Sequence, residues 1–228
     1  MPDPHSALDL NDLSQRSVIA LVGLAFEARI AAGPGVLAVC RDRETADLLR
    51  LAIGAGCRSI ISFGVGGGLA PDLIPGDCVV ASAIIDYPAV RPTDPLWSRK
   101  LAEMIPDARH GPIMGVISDP ADKRKLHTFT RAVAVDMESH VVARLAAAHG
   151  LALAAVRVII DPAHRAVPPA ALLAMAPGGS ADVSAMLREI LARPSQVSPL
   201  MRLAADAISA RAALVRLRRP LGPSFSWE

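Results

Sequence analysis

A chain of 228 residues, 52% of them hydrophobic, is long enough to enclose one full α/β core; two small domains fit it less well. A net charge of +2 and an aromatic content of 3% argue against a general nucleic-acid surface and against base-stacking platforms. The three cysteines, Cys40, Cys57 and Cys78, are odd in number and set in apolar stretches, so they read as reduced packing residues of a cytoplasmic protein. Residues 1–17 are polar and acidic, unlike a signal peptide, and the uncharged run 17–26 falls short of the about 20 apolar residues that span a bilayer. The expected location is the cytoplasm, with contact at the periphery of the inner membrane left open.

In chain order, residues 18–22 form a short apolar run that ends at Gly23, and a helix-compatible segment follows over 25–31. Residues 36–40 read as a second strand. Glu44, Ala46, Leu48, Leu49, Leu51, Ala52 and Ile53 then have helical spacing, closed by Gly54-Ala55-Gly56. A strand over 59–63 is expected to stop at the glycine run 64–68. After the turn Ile74-Pro75-Gly76 another strand covers 77–85. The Pro-rich stretch 86–112 reads as irregular apart from a short helix over 96–104. Further strands are expected over 113–117, 133–135 and 152–160, and helices near 120–128 and 137–149.

Beyond Asp161 the punctuation changes. Pro168-Pro169 and Pro177-Gly178-Gly179 mark a loop, and Val183, Met186, Leu187, Ile190 and Leu191 restore helical spacing until Pro194. A last helix is expected over 196–217. Arg202, Arg211, Arg216, Arg218 and Arg219 with Asp206 give it a local charge of +4, the solvated face of a packed helix or an anionic-membrane contact. Alternating strands and helices predict an α/β fold with a single domain: a twisted, mixed, mostly parallel sheet covered by helices on both faces. The boundaries are a polar segment 1–17 and a domain 18–228 whose helical extension covers 181–219.

The most informative stretch is Val133-Ala134-Val135-Asp136-Met137-Glu138, an apolar strand that delivers two carboxylates and a thioether at its carboxyl end. Such groups are poor core material and good material for a sugar hydroxyl and an apolar ring. Asp161 ends a second apolar strand, and Glu27 follows the first. In open α/β sheets ligands bind outside the carboxyl ends of strands, so Glu27, Glu138 and Asp161 form a candidate constellation. Taken alone, Glu27 also reads as a first-turn acid favoured by the helix dipole, and Asp161 as a cap for the turn at Pro162. Burial at the end of an apolar strand would suit Asp161 to donate a proton.

Several chemistries lack their residues. The run Gly64-Val65-Gly66-Gly67-Gly68-Leu69 breaks the dinucleotide fingerprint at its last position, and no P-loop, nucleophile elbow or zinc spacing occurs. No redox cofactor and no metal are therefore expected. The glycines let backbone approach a ligand or make a tight turn. His110, His127, His140 and His164 read as surface or helix-face residues, and Asp119, Lys123, Arg124 and Lys125 as a solvated helix start.

These residues carry a resemblance. Ile61-Ser62-Phe63-Gly64-Val65-Gly66-Gly67-Gly68-Leu69-Ala70-Pro71 with Gly76-Asp77-Cys78-Val79-Val80 resembles the central segment of the nucleoside phosphorylase/nucleosidase superfamily. Ala132-Val133-Ala134-Val135-Asp136-Met137-Glu138-Ser139 resembles its carboxylate–Met–Glu motif. Val156-Arg157-Val158-Ile159-Ile160-Asp161 resembles the strand that ends in its catalytic aspartate. The motifs stand in family order over roughly residues 18–162. Asp119-Pro120-Ala121-Asp122-Lys123, the motif through His140, and Arg193-Pro194-Ser195-Gln196 look like the hopanoid-associated phosphorylase branch, which removes adenine from adenosylhopane.

The resemblance implies cleavage of the N-glycosidic bond of a purine nucleoside, releasing adenine, with a lipid-linked adenosine as substrate. Asp161 would protonate N7 of the base and Glu27 would activate the attacking water. Glu138 would bind ribose hydroxyls beside Asp136, Met137 would pack on the sugar, and Val65, Gly66 and Gly67 would line base and ribose. Ile160 departs from the Ser or Thr usual before the aspartate. Glu27 sits one position from a simple alignment anchored on Gly23. Related bacterial phosphorylases place Arg and Ser at the equivalents of Ser62 and Val65; that absence favours water, with phosphate left open as a co-substrate through Arg29 or Arg41. A homodimer is implied by the resemblance alone. The rival readings are phosphorolysis, a nucleosidase for small soluble adenosines such as methylthioadenosine, and a nucleoside-binding sensor without turnover.

Overall fold

In the computed structural model, the described residues are 16–40, 45–115, 123–165, 167–168, 171, 188–189 and 192–227. The first strand, β1 (Val18–Val22), is buried along its whole length. Val18, Ala20 and Val22 enter one core while Ile19 and Leu21 enter another. A strand buried on both faces needs no polar alternation, which is why it reads as a continuous apolar run.

Helix α1 (Ala25–Ala31) returns the chain to β2 (Val36–Cys40), parallel to β1. Helix α2 (Thr45–Gly54) leads to β3 (Ser59–Gly68), parallel to β1 on its other side. Next come β4 (Cys78–Asp86), β5 (Ala89–Pro92), helix α3 (Pro95–Met104) and β6 (Arg109–Gly115). Helix α4 (Lys123–Thr130) precedes β7 (Ala134–Asp136), and helix α5 (Ser139–His149) precedes β8 (Ala152–Asp161). The last helix is α6 (Val197–Arg218).

The strand order is β2-β1-β3-β7-β6-β4-β5, and β8 pairs with both β3 and β4. The mixed sheet therefore closes on itself through β3, β7, β6, β4 and β8. Pattern reading predicts the mixed sheet but not this closure, which depends on one strand serving two partners. One core lies under α2 and α5, the other under α1, α3 and α6. In the second, Trp97 donates its indole N–H to the Phe225 carbonyl at 2.7 Å and packs at a tilt of 55° against Trp227, with ring centroids 5.0 Å apart. Arg218 lies 4.2 Å over the Phe225 ring.

Three expectations change. The strand over 59–63 does not stop at the glycines: β3 runs through Gly68, pairing with β8 and then β7. Those glycines serve close approach; a Cβ on Gly66 would sit 2.9 Å from the Val135 carbonyl oxygen. The stretch 86–112 is largely regular, holding β5, α3 and the start of β6. Its helix begins at Pro95 because Asp94 accepts hydrogen bonds from the N–H groups of Leu96 (3.1 Å) and Trp97 (2.8 Å). His140 is buried, at 4% exposure, and Lys123 at 3%, against their reading as solvated groups. Residues 1–15, Arg41, Asp119 and the helical spacing from Val183 to Leu191, apart from 188–189, lie outside the described residues.

Candidate active site

Glu27 stands in the first turn of α1 yet is only 2% exposed. Its Oε2 accepts hydrogen bonds from the backbone N–H of Gly23 (3.0 Å) and Leu24 (2.8 Å). Its Oε1 accepts another from Val65 (2.7 Å), so the carboxylate ties the end of β1 to β3. Burial pushes its pKa above the usual glutamate range, while Arg157 and the three N–H groups oppose that shift.

Arg157 is the centre of the cluster and has no exposed surface. In the β3–β8 register it lies opposite Gly64. Its Nε donates to Asp136 Oδ2, one Nη donates to Ser62 Oγ, and that same nitrogen is 3.7 Å from Glu138 Oε2. The other nitrogen, Nη1, is buried without a hydrogen-bond partner among the described residues. It points at the space over Gly64, where a Cβ would lie 2.8 Å from it and 2.4 Å from Glu27 Oε1. Gly64 has φ +151°, and with no side chain it lets Glu27 and Arg157 close in over the backbone.

Asp136 turns inward. Its Oδ1 accepts from the N–H groups of Glu138 (3.1 Å) and Ser139 (2.8 Å), and its Oδ2 meets Arg157 and the Ser139 hydroxyl. Both oxygens are committed to protein partners, which corrects the expectation that Asp136 binds substrate: it fixes Arg157 and the turn into α5. Glu138 is 8% exposed, and its Oε1 lies 2.7 Å from the position of a Cβ on Gly23. Gly23 thus holds Glu27 by its N–H and leaves room for Glu138. Met137 beside it is half exposed.

Asp161 ends β8, paired with Gly67 in the register. Its carboxylate oxygens lie 3.2 and 3.3 Å from where a Gly67 Cβ would stand. Burial pushes its pKa above the usual aspartate range, opposed by the Lys123 ammonium bonded to its Oδ2. A cleft of about 270 Å³ opens beside it, lined by His164, Arg165, Leu203 and Asp206 among others. A larger cavity of about 610 Å³, near Thr93, Arg99 and His110, contains none of these carboxylates.

Glu27 therefore contacts Val65, Arg157 faces Gly64, and Asp161 covers Gly67, all along one end of β3. At a rise of about 3.3 Å per residue, Val65 and Gly67 are roughly 7 Å apart, the scale of a sugar and the base attached to it. The structure brings the sequence-predicted Glu27, Glu138, Asp161, Val65, Gly66 and Gly67 together. Sequence reasoning missed Arg157 and Lys123 as members. Arg157 had a signal, since a charge inside an otherwise apolar strand must find partners; Lys123 had none.

A family model described as the phosphorylase superfamily matches residues 24–192. The chain belongs to that superfamily. Its fold is shared with 5'-methylthioadenosine/S-adenosylhomocysteine nucleosidase from Helicobacter pylori at 14% identity, covering 89% of this chain and 97% of that one, with TM-score 0.56. Native futalosine hydrolase from the same organism matches at 17% identity, 64% and 88% coverage and TM-score 0.52. A Plasmodium knowlesi homologue of the P. falciparum PNP matches at 12% identity, 90% coverage of both chains and TM-score 0.53. No curated protein matches the sequence.

Proposed function

We propose that this member of the superfamily cleaves the N-glycosidic bond of an adenine nucleoside with water as the nucleophile. The observation that carries this reading is the pairing of the buried Glu27 carboxylate with the unfilled donor Nη1 of Arg157, both packed over Gly64. A buried acceptor beside an unfilled donor suits a water, oriented by the arginine and deprotonated by the glutamate. Phosphate suits it poorly. Glu27, Asp136 and Glu138 surround a single arginine, so the cluster as ionised carries more negative than positive charge and repels an anion.

The chemistry then divides among neighbours. Asp161 protonates the leaving base at N7, so that neutral adenine departs as the ribose gains oxocarbenium character. Glu138 accepts hydrogen bonds from ribose hydroxyls, and these strengthen as positive charge builds on the sugar. Met137 packs on the sugar, and Val65, Gly66 and Gly67 approach base and ribose through backbone. Burial that lifts Glu27 above the ordinary carboxylate range makes it a better proton acceptor than an exposed glutamate. No redox cofactor or metal enters this scheme.

For the substrate we favour a lipid-linked adenosine of the adenosylhopane type. Pro162, Pro168, Pro199 and Leu203 give the cleft beside Asp161 apolar walls. No helix among the described residues is long and apolar enough to cross a membrane. On this reading the enzyme is a homodimer that meets the lipid at the cytoplasmic surface. Small soluble adenosines are the second reading, favoured by the nucleosidase named among the solved structures that share the fold. Chromatography of products from adenosine, methylthioadenosine and an adenosine-bearing lipid extract separates the two. Faster adenine release from the lipid is expected; faster release from methylthioadenosine overturns the lipid assignment, and binding without release from any of them overturns the enzyme.

A further inference from the structure

The scheme above gives Lys123 no task, yet its burial demands one. It opens α4 at 3% exposure, and an ammonium taken so far from water is costly unless its charge is met. Its Nζ touches Asp161 Oδ2 and donates to the backbone carbonyls of Asp161 (3.3 Å), Pro162 (3.1 Å) and Arg165 (3.2 Å). These acceptors saturate its N–H groups. Among them only the carboxylate is basic enough to take a proton from the ammonium; amide carbonyls are not.

The other charged groups facing Asp161 are accounted for. Arg165, from the segment after β8, is paired with Asp206 of α6 at 2.6 Å. His164 and Arg202 line the same cleft. Among the described residues, Lys123 is the cation in direct contact with the Asp161 carboxylate.

We propose that Lys123 is a positioning residue for Asp161 and that the two side chains hold one transferable proton between them. The inference rests on the nucleoside-cleaving reading. As the C1′–N9 bond breaks, its electron pair passes into the base. The Lys123 ammonium passes a proton to the Asp161 carboxylate, which delivers it to N7. Water attacks C1′ and gives its proton to Glu27, so one proton is delivered and one recovered per turnover. Glu27 then releases its proton to solvent, and the amine regains one by way of Asp161 and the cleft beside it. The ammonium also anchors the Pro162 and Arg165 carbonyls, so the loop behind the acid is held with it.

The pair makes Asp161 a carboxylate at rest, and removing the cation leaves a buried carboxyl group that keeps its own proton. Infrared difference spectra of wild type and Lys123→Met, each against its Asp161→Asn counterpart, read this without turnover. The expected result is a protonated-carboxyl band near neutral pH in K123M that wild type lacks. Identical spectra in the two backgrounds overturn the proposal while leaving the cleavage reading standing.

Turnover supplies an independent arm, in which adenine release from adenosine is followed against pH. In K123M the alkaline limb of kcat/KM should move to lower pH, because the acid then has only its own proton to give. A merely structural role lowers the rate at every pH and leaves the limb in place, and that outcome overturns the proposal. In the D161N background K123M should cause no further loss; an additive loss also overturns it. Absence of adenine release from wild type with any nucleoside strikes instead at the reading beneath it.

Discussion

The two ends of the candidate site are built on opposite electrostatic plans. Around Arg157, the carboxylates of Glu27, Asp136 and Glu138 crowd one guanidinium, and backbone N–H groups hold Glu27 in place. Around Asp161, one carboxylate meets one ammonium, and carbonyls hold the ammonium. The first arrangement fixes acceptors and leaves a donor unfilled, which suits generation of a nucleophile and stabilisation of a cationic sugar. The second balances charge and stores a proton, which suits a leaving base. Burial alone cannot tell these roles apart, since it raises both Glu27 and Asp161; their hydrogen-bond partners do.

The comparison breaks most sharply at Asp161. Asp161→Asn removes the acid without removing bulk, and adenine release should fall about 10³-fold, within the usual span of general acid catalysis. Equilibrium binding of nucleoside should persist, so kinetics and calorimetry on the same variant check the division of labour. Glu27→Gln should cost about 10²-fold in kcat by the same reasoning.

Glu27→Gln also has a signature in stability. The native state holds the Glu27 proton to higher pH than the unfolded chain does, so its ionisation costs stability. That contribution is favourable at low pH and fades as pH rises from the ordinary glutamate range through the native value. The variant should flatten this slope, which denaturant titration at a series of pH values measures.

Gly64→Ala sharpens the comparison from the backbone side. Its Cβ would fall 2.4 Å from Glu27 Oε1 and 2.8 Å from Arg157 Nη1, forcing the pair assigned to the water out of place. A loss of about 10-fold or more in kcat and about 1–3 kcal/mol in stability is expected, since overpacking a tight site costs that much. Gly54→Ala is the contrast. Nothing lies within 4 Å of its added Cβ, so Tm should stay or rise slightly, by up to about 1 kcal/mol of stability.

Much of the fold is legible because both faces of the sheet are covered. Val18–Val22 and Val36–Cys40 are apolar without alternation, and glycines or turns bound them as pattern reading expects. The glycine run misleads because Gly usually interrupts strands. Here the absent Cβ atoms admit Glu27, Arg157 and Asp161, a reason that exists only once the strands are assembled. The candidate carboxylates are legible from their places after strands. The Asp136 orientation is not, because Asp136 and Glu138 flank Met137 in sequence while only the fold turns one towards Arg157 and its helix turn. Lys123 is hidden for the same reason: its partner lies 38 positions away, and charge beside Arg124 and Lys125 suggests solvent.

The most direct measurement follows the sugar product by proton NMR while the enzyme acts on an adenine nucleoside, in buffer with and without phosphate. Free sugar appearing at the same rate in both buffers is the predicted result. A sugar 1-phosphate that forms only when phosphate is present would contradict the assignment of the Glu27–Arg157 pair to water.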